Sequence, residues 1–147
     1  MRALRGALIV PAAAIVVGCG TIRQLVKDMQ HIQTCATQSS RAQTINISMG
    51  GAKRFTIGLI NSPIDTLPAA ERAAAVRKVA ECVRDNYSRY GTLGEVAVVF
   101  THRTEVGGAK VSASGTPIVF TTRDLGPRPG ATRADSAAGQ AKAPPTR

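Results

Sequence analysis

The tetrapeptide Gly-Gly-Ala-Lys occurs twice in this chain, at 50–53 and 107–110, and each copy separates runs of strand-forming residues. Before the first copy, residues 44–49 alternate strictly, with Ile45, Ile47 and Met49 on one side and Thr44, Asn46 and Ser48 on the other. After it, residues 54–60 do the same with Phe55, Ile57 and Leu59. Period-two alternation marks a half-buried strand, and a glycine pair between two such runs reads as a hairpin. A two-residue loop would set Ile47 against Arg54 and mix the faces. A three-residue loop, 50–52, sets Ile47 opposite Phe55 and Ile45 opposite Ile57, so the apolar faces coincide. The second copy follows a strand at 95–102, whose nearly continuous apolar run from Val96 to Phe100 predicts a central position. The same loop length, 107–109, pairs Val96 with Phe120, Val98 with Ile118 and Phe100 with Thr116. Pro117 falls within that last strand, which is therefore an edge or is bulged there. The repeated tetrapeptide fits a duplicated hairpin and fits convergence on turn chemistry equally well.

Elsewhere the periodicity changes to that of a helix. Over 21–38, Ile22, Leu25, Val26, Met29, Ile32 and Ala36 form an apolar stripe, with Arg23, Lys27, Asp28 and Gln30 off it. Thr21 and Gln24 have capping-box spacing, a start signal. A longer helix is expected from about Leu67 to Tyr90, with Thr66 as its cap and Gly91 ending it. Its buried stripe is Ala73, Val76, Val79, Ala80, Val83, Tyr87 and Tyr90, and Arg77/Glu81 and Asp85/Arg89 are spaced as charge pairs. The order β-β-α-β-β after an N-terminal helix predicts a small two-layer α+β domain. An antiparallel sheet of two hairpins is covered on one face by the long helix. Three Phe, two Tyr and no Trp leave the core to Val, Ile, Leu and Ala, and exclude a Trp-based sugar platform.

The front of the chain is a different kind of sequence. Residues 1–5 are short and positive, and 6–17 form a stretch of twelve mostly apolar residues broken once by Pro11. A spanning helix needs about 20 residues, so length and flanks read as an export signal. The stretch ends in Val16-Val17-Gly18-Cys19. This resembles the lipobox of bacterial lipoproteins: a branched apolar residue, a tolerated one, a small one, then a cysteine. The resemblance covers only the first nineteen or twenty positions. It implies diacylglyceryl transfer to the Cys19 sulfur, cleavage before Cys19 and acylation of the new amine. Two or three acyl chains, at about 0.8 kcal/mol per buried methylene, exceed what stable anchoring needs. Gly20, rather than Asp, after the cysteine favours the outer membrane in a diderm cell under the family's sorting rule. The expected organisation is a signal peptide at 1–18, one α+β domain at 19–125 and an Ala/Pro-rich basic tail at 126–147. Without apolar periodicity the tail is expected to be disordered.

Of three cysteines, the lipid would consume Cys19 and leave Cys35 and Cys82 as an even pair. Export places that pair in an oxidising compartment, where a disulfide is expected and two buried thiols are the alternative. No two of Cys35, Cys82, His31 and His102 have metal-ligand spacing, and no cofactor is expected. Arg2 and Arg5 leave with the signal, so 17 of the 19 basic side chains remain against 9 acidic ones, a net +8. The basic residues are scattered without aromatic interleaving, unlike a nucleic-acid surface, and no nucleic-acid partner is expected. Catalysis is not expected either. His102 and His31 read as satisfied edge and helix residues, and Ser112 and Ser114 lack a nucleophile elbow. Both glycine pairs are hairpin tips, not phosphate loops.

The expected role is that of a membrane-anchored envelope lipoprotein facing the periplasm or cell exterior. It would serve as a non-enzymatic accessory module with a protein partner. The alternative is a module for an anionic envelope polymer, gripped by Lys53, Lys110, Arg128, Arg133, Lys142 and Arg147.

Overall fold

The structure, a computed structural model, describes residues 16–51 and 53–130. In chain order it comprises α1 (Val16–Ser40), β1 (Thr44–Gly50), β2 (Arg54–Ile60), α2 (Ala69–Asn86), β3 (Glu95–Val106), β4 (Ala109–Ser114), β5 (Ile118–Thr121) and α3 (Thr122–Leu125). Single turns of 3-10 helix, Pro63–Thr66 and Tyr90–Thr92, flank α2. The α+β class and the helix–hairpin–helix–hairpin order are as expected, but the sheet is mixed rather than antiparallel. β2 and β3 run parallel, from Arg54 beside Glu95 to Ile60 beside Thr101, because α2 carries the chain back to the starting end of the sheet. The strand order is β1-β2-β3, with β4 and β5 both pairing with β3.

α1 is longer than expected. Thr21 does not start it, for no proline intervenes after Pro11 and a nucleated helix gains a bond with each added residue. At its other end Arg41 takes a left-handed conformation (φ 49°) and its N–H donates to Thr37 O at 2.8 Å. The buried stripe of α1 is Ile32 and Ala36, with Leu25 and Met29 partly buried against the core. Ile22 and Val26, expected on that stripe, are 64% and 50% exposed, whereas Asp28, expected outside it, is 3% exposed.

The β1–β2 hairpin is shifted by two from the expected register: Met49 faces Phe55, Ile47 faces Ile57 and Ile45 faces Leu59. A shift of two preserves the side-chain parity, so the apolar faces still coincide. The loop still has three residues but begins at Gly51, since Gly50 pairs with Arg54, and the left-handed residue is Lys53 (φ 68°). Lys53 O accepts the Gly94 N–H at 2.9 Å, which ties this loop to the start of β3. The other Gly-Gly-Ala-Lys copy makes a different turn. Val106 pairs with Ala109 around a two-residue Gly107-Gly108 loop, with φ of 58° and 83°.

β3 extends past the expected His102 to Val106 because β4 pairs with its second half, Thr101 opposite Ser114 through Val106 opposite Ala109. β5 pairs with its first half in the expected register, Val96 opposite Phe120 and Val98 opposite Ile118. Four steps on one strand match three on the other between these ladders, so an extra residue is accommodated at 115–117. Phe100 O takes the Gly115 N–H there at 2.9 Å, and the expected pairing of Phe100 with Thr116 is absent. Pro117 thus marks the break that turns one expected strand into two.

The long helix is shorter than expected and uncapped by Thr66, whose hydroxyl donates to Pro63 O at 2.8 Å. It stops at Asn86, where Tyr87 turns extended and enters the core with its ring 5.3 Å from that of Phe55. Ala73 is exposed. Arg77 and Glu81 pair as spaced (3.3 Å), but Asp85 takes Arg84 at 2.7 Å, because Arg89 lies beyond the helix end. Both α1 and α2 cover one face of the sheet, where Phe55, Ile57, Leu59, Val96 and Val98 are fully buried against Ile32, Val76, Val79 and Val83. On the opposite face Thr44, Asn46 and Ser48 are exposed and Thr56, Val99 and Thr101 half-buried.

α3 was not expected. A capping box between Thr121 and Asp124 starts it, and Arg84 Nη1 and Arg77 Nη2 donate to Leu125 O (2.8 Å) and Asp124 O (2.7 Å). The first residues of the expected tail, 126–130, remain attached: Arg128 Nε donates to Asp85 O at 3.3 Å. The rest of the tail, 131–147, and the signal residues 1–15 lie outside the described residues.

Candidate functional site

The two structural cysteines meet across the helix pair. α1 and α2 lie antiparallel, and a disulfide joins Cys35 to Cys82 with Cα atoms 5.8 Å apart. Cys82 is buried, with the Ser39 hydroxyl 3.7 Å from its sulfur. Cys19 lies on the same helix as Cys35, more than four turns earlier, and is not part of that bond. No helix among the described residues is long and apolar enough to cross a membrane.

The middle of α1 is locked to the segment after α2 through Asp28. Its carboxylate accepts the Ser88 N–H at 2.8 Å, the Ser88 hydroxyl at 2.5 Å and the Gln24 amide at 2.8 Å. Burial alone would push this carboxyl up, but the Ser88 and Gln24 hydrogen bonds and the Arg128 charge outweigh it and hold it below the ordinary carboxylate value. The sequence signal for this hub was weak: a lone Asp between Leu25 and Ile32, with its partner sixty residues away. Beside it lies a cleft of about 290 Å³, between Thr21, Gln24 and Leu25 of α1 and Tyr87, Ser88 and Arg89.

His102 has a partner that its strand position did not reveal. Its Nε2 lies 2.7 Å from Asp65 Oδ2, and Arg72 Nη1 lies 3.6 Å from Asp65 Oδ1. This is a partly exposed polar cluster at the rim where β2 ends. Nucleophilic chemistry would need a hydroxyl aligned with the imidazole. The neighbouring Ser62 and Thr66 hydroxyls instead donate to Ser40 O and Pro63 O, at 2.7 and 2.8 Å. No three His, Cys, Asp or Glu side chains gather as a metal site among the described residues.

The candidate polymer-binding residues are dispersed. Lys53 sits at the β1–β2 tip beside Gly94, and Lys110 pairs with Glu105 near the β3–β4 tip. These tips are at opposite ends of β3, roughly 35 Å apart at 3.3 Å per residue, so the two lysines do not form one patch. Arg128, beyond α3, reaches the end of α2 at Asp85 O, and Arg133, Lys142 and Arg147 lie outside the described residues. Comparison of the chain with protein-family models, with curated proteins and with solved structures finds no match.

Proposed function

We propose that this protein is an exported bacterial lipoprotein, held to a membrane by lipid on Cys19, whose domain works as a non-enzymatic interaction module of the cell envelope. The observation that carries the reading is the Cys35–Cys82 disulfide, which involves two of the three cysteines and leaves the lipobox cysteine outside it. Structural disulfides belong to oxidising compartments, the destination that the export signal implies. Interaction is favoured over catalysis by the form of the surface. The sheet face away from the helices is built of small, largely hydroxyl-bearing side chains, and the His102–Asp65 pair is an exposed rim feature.

Two experiments test this. Metabolic labelling with an alkyne fatty acid, followed by mass spectrometry of the N-terminal peptide, should find acyl chains on Cys19 and none in Cys19→Ala. An unmodified Cys19 in a peptide still joined to residues 1–18 would overturn the anchor. In-cell cross-linking of the acylated protein should then recover a stoichiometric protein partner that survives high salt and removal of 126–147. Recovery of an anionic polymer instead, lost in salt or without the tail, would replace the interaction reading with a polymer-binding one.

A further inference from the structure

One end of the molecule is both apolar and cationic. The first turns of α1, the segment after α2 and the β1–β2 tip converge there. Thr21, Gln24 and Leu25 share a cleft with Tyr87, Ser88 and Arg89, the Tyr87 hydroxyl donates to Met49 Sδ at 3.5 Å, and Lys53 O accepts from Gly94. Ile22, Val26 and Met49 are half or more exposed at this end, three of the six exposed large apolar side chains among the described residues. Such residues gathered at one pole mark an interaction surface. Arg23, Lys27, Lys53 and Arg89 are exposed at the same end, and none of the four is ion-paired among the described residues. The nearby carboxylates do not offset them: Asp28 is buried and committed to Ser88 and Gln24, and Glu95 is paired with Arg54.

The arrangement has a length argument behind it. Counted from Cys19, the first residue left after the proposed cleavage, α1 has 22 residues, roughly 33 Å at 1.5 Å each, whereas the 7-residue β1 beneath it spans roughly 23 Å. The helix outruns the strand, and of the side chains described near its start Ile22, Arg23, Val26 and Lys27 are exposed while Leu25 reaches the core.

We infer that this end docks on an anionic phospholipid surface. Ile22, Val26 and Met49 enter the headgroup layer, while Arg23, Lys27, Lys53 and Arg89 meet the lipid phosphates. Apolar insertion with flanking cations is how interfacial helices bind, and each basic residue near an anionic surface strengthens partitioning about fivefold. The reading of Cys19 as lipidated supplies the reason for a bilayer at this end, since Ile22 follows it by three residues. The contacts themselves belong to the protein surface, so the two ideas fail separately. Docking would fix the orientation of the domain, with the β3–β4 hairpin pointing away from the membrane.

The test is hydrogen exchange, read by mass spectrometry, on the full mature chain reconstituted in vesicles. One set is phosphatidylcholine alone and the other carries about a third phosphatidylglycerol. The acylation state of each sample is read by intact mass. Peptides covering 20–29 and 47–54 should gain protection on the anionic vesicles, while those covering 102–113 should not. Arg23→Glu with Lys27→Glu should abolish the gain at unchanged thermal midpoint, and high salt should weaken it. Acylated protein with the same exchange in both vesicles, or with protection at 102–113 instead, overturns the docking and leaves the anchor intact. If the chain proves unacylated, cosedimentation with the same vesicles decides. Binding that falls more than tenfold in the charge-reversed variant supports docking without the anchor, and no binding to anionic vesicles overturns docking as well.

Discussion

Asp28 connects an acidic side chain to the packing of two helices. Three donors converge on a nearly fully buried carboxylate, and removing it would leave Ser88 and Gln24 without their acceptor. Asp28→Ala should therefore lower stability by about 1.5–3 kcal/mol, the usual range for hydrogen bonds to a charged group, in a denaturant melt at neutral pH. The folded carboxyl titrates below its ordinary value, so its contribution is complete above the ordinary carboxylate range and is lost as pH falls through the folded-state value. Melts of the natural protein and Asp28→Asn should differ at pH 7, and the gap should narrow towards pH 3. A gap that is the same at both values would show that Asp28 does not titrate with folding. The residue was legible only as a polar position off the apolar stripe. Its significance depends on Ser88, whose placement follows from where α2 ends.

At the level of elements, the α1–α2 pair depends on a covalent link that cysteine parity already suggested. The bond closes a sequence separation of 47 residues, worth about 4 kcal/mol on the chain-entropy model. Reduction, or Cys35→Ala with Cys82→Ala, should lower the denaturant midpoint accordingly, and an unmoved midpoint would mean that the link constrains nothing. The two Gly-Gly-Ala-Lys hairpins should respond unequally to the same substitution. Gly108 has φ 83°, which an L side chain tolerates at a cost of roughly 1–2 kcal/mol, so Gly108→Ala should loosen the β3–β4 hairpin. Gly51 has no positive φ and open space around its Cβ position, so Gly51→Ala should change stability by less than about 0.5 kcal/mol. Exchange rates of the β4 amides would separate the two. Identical tetrapeptides make different turns, and the first differs in that Lys53 O accepts the Gly94 N–H, a long-range contact the tetrapeptide itself does not encode.

Across the whole molecule, protection should be graded. β2 and β3 share a fully buried face under both helices, whereas β3 beyond Thr101 and all of β4 are exposed on both sides. A two-stranded ribbon without a covering layer is marginal by itself. Native-state hydrogen exchange should find the amides of 103–113 opening at low free energy and those of Phe55–Leu59 and Val96–Val98 opening only near the global value. Equal protection throughout would mean that something covers the hairpin in solution. The wrong sheet sense in the sequence reading belongs to this scale. Alternation located both hairpins, but the direction of β3 relative to β2 depends on how far α2 travels before the chain returns.

Periodicity and punctuation in the sequence determined where strands and helices lie, which faces are apolar, and that Pro117 interrupts the last strand; cysteine parity suggested Cys35 with Cys82 but left two thiols open. These are local properties, governed by side-chain spacing and backbone sterics. Tertiary structure decided the rest: the two-residue shift of the first hairpin, the parallel β2–β3 pairing, the meeting of His102 with Asp65, and the exposure of Ile22 and Val26. A period of two is blind to a shift of two, and a helical stripe gives the direction of burial without saying where the partner layer ends. Only the finite length of the sheet beneath α1 supplies that, because burial requires a surface to be buried against.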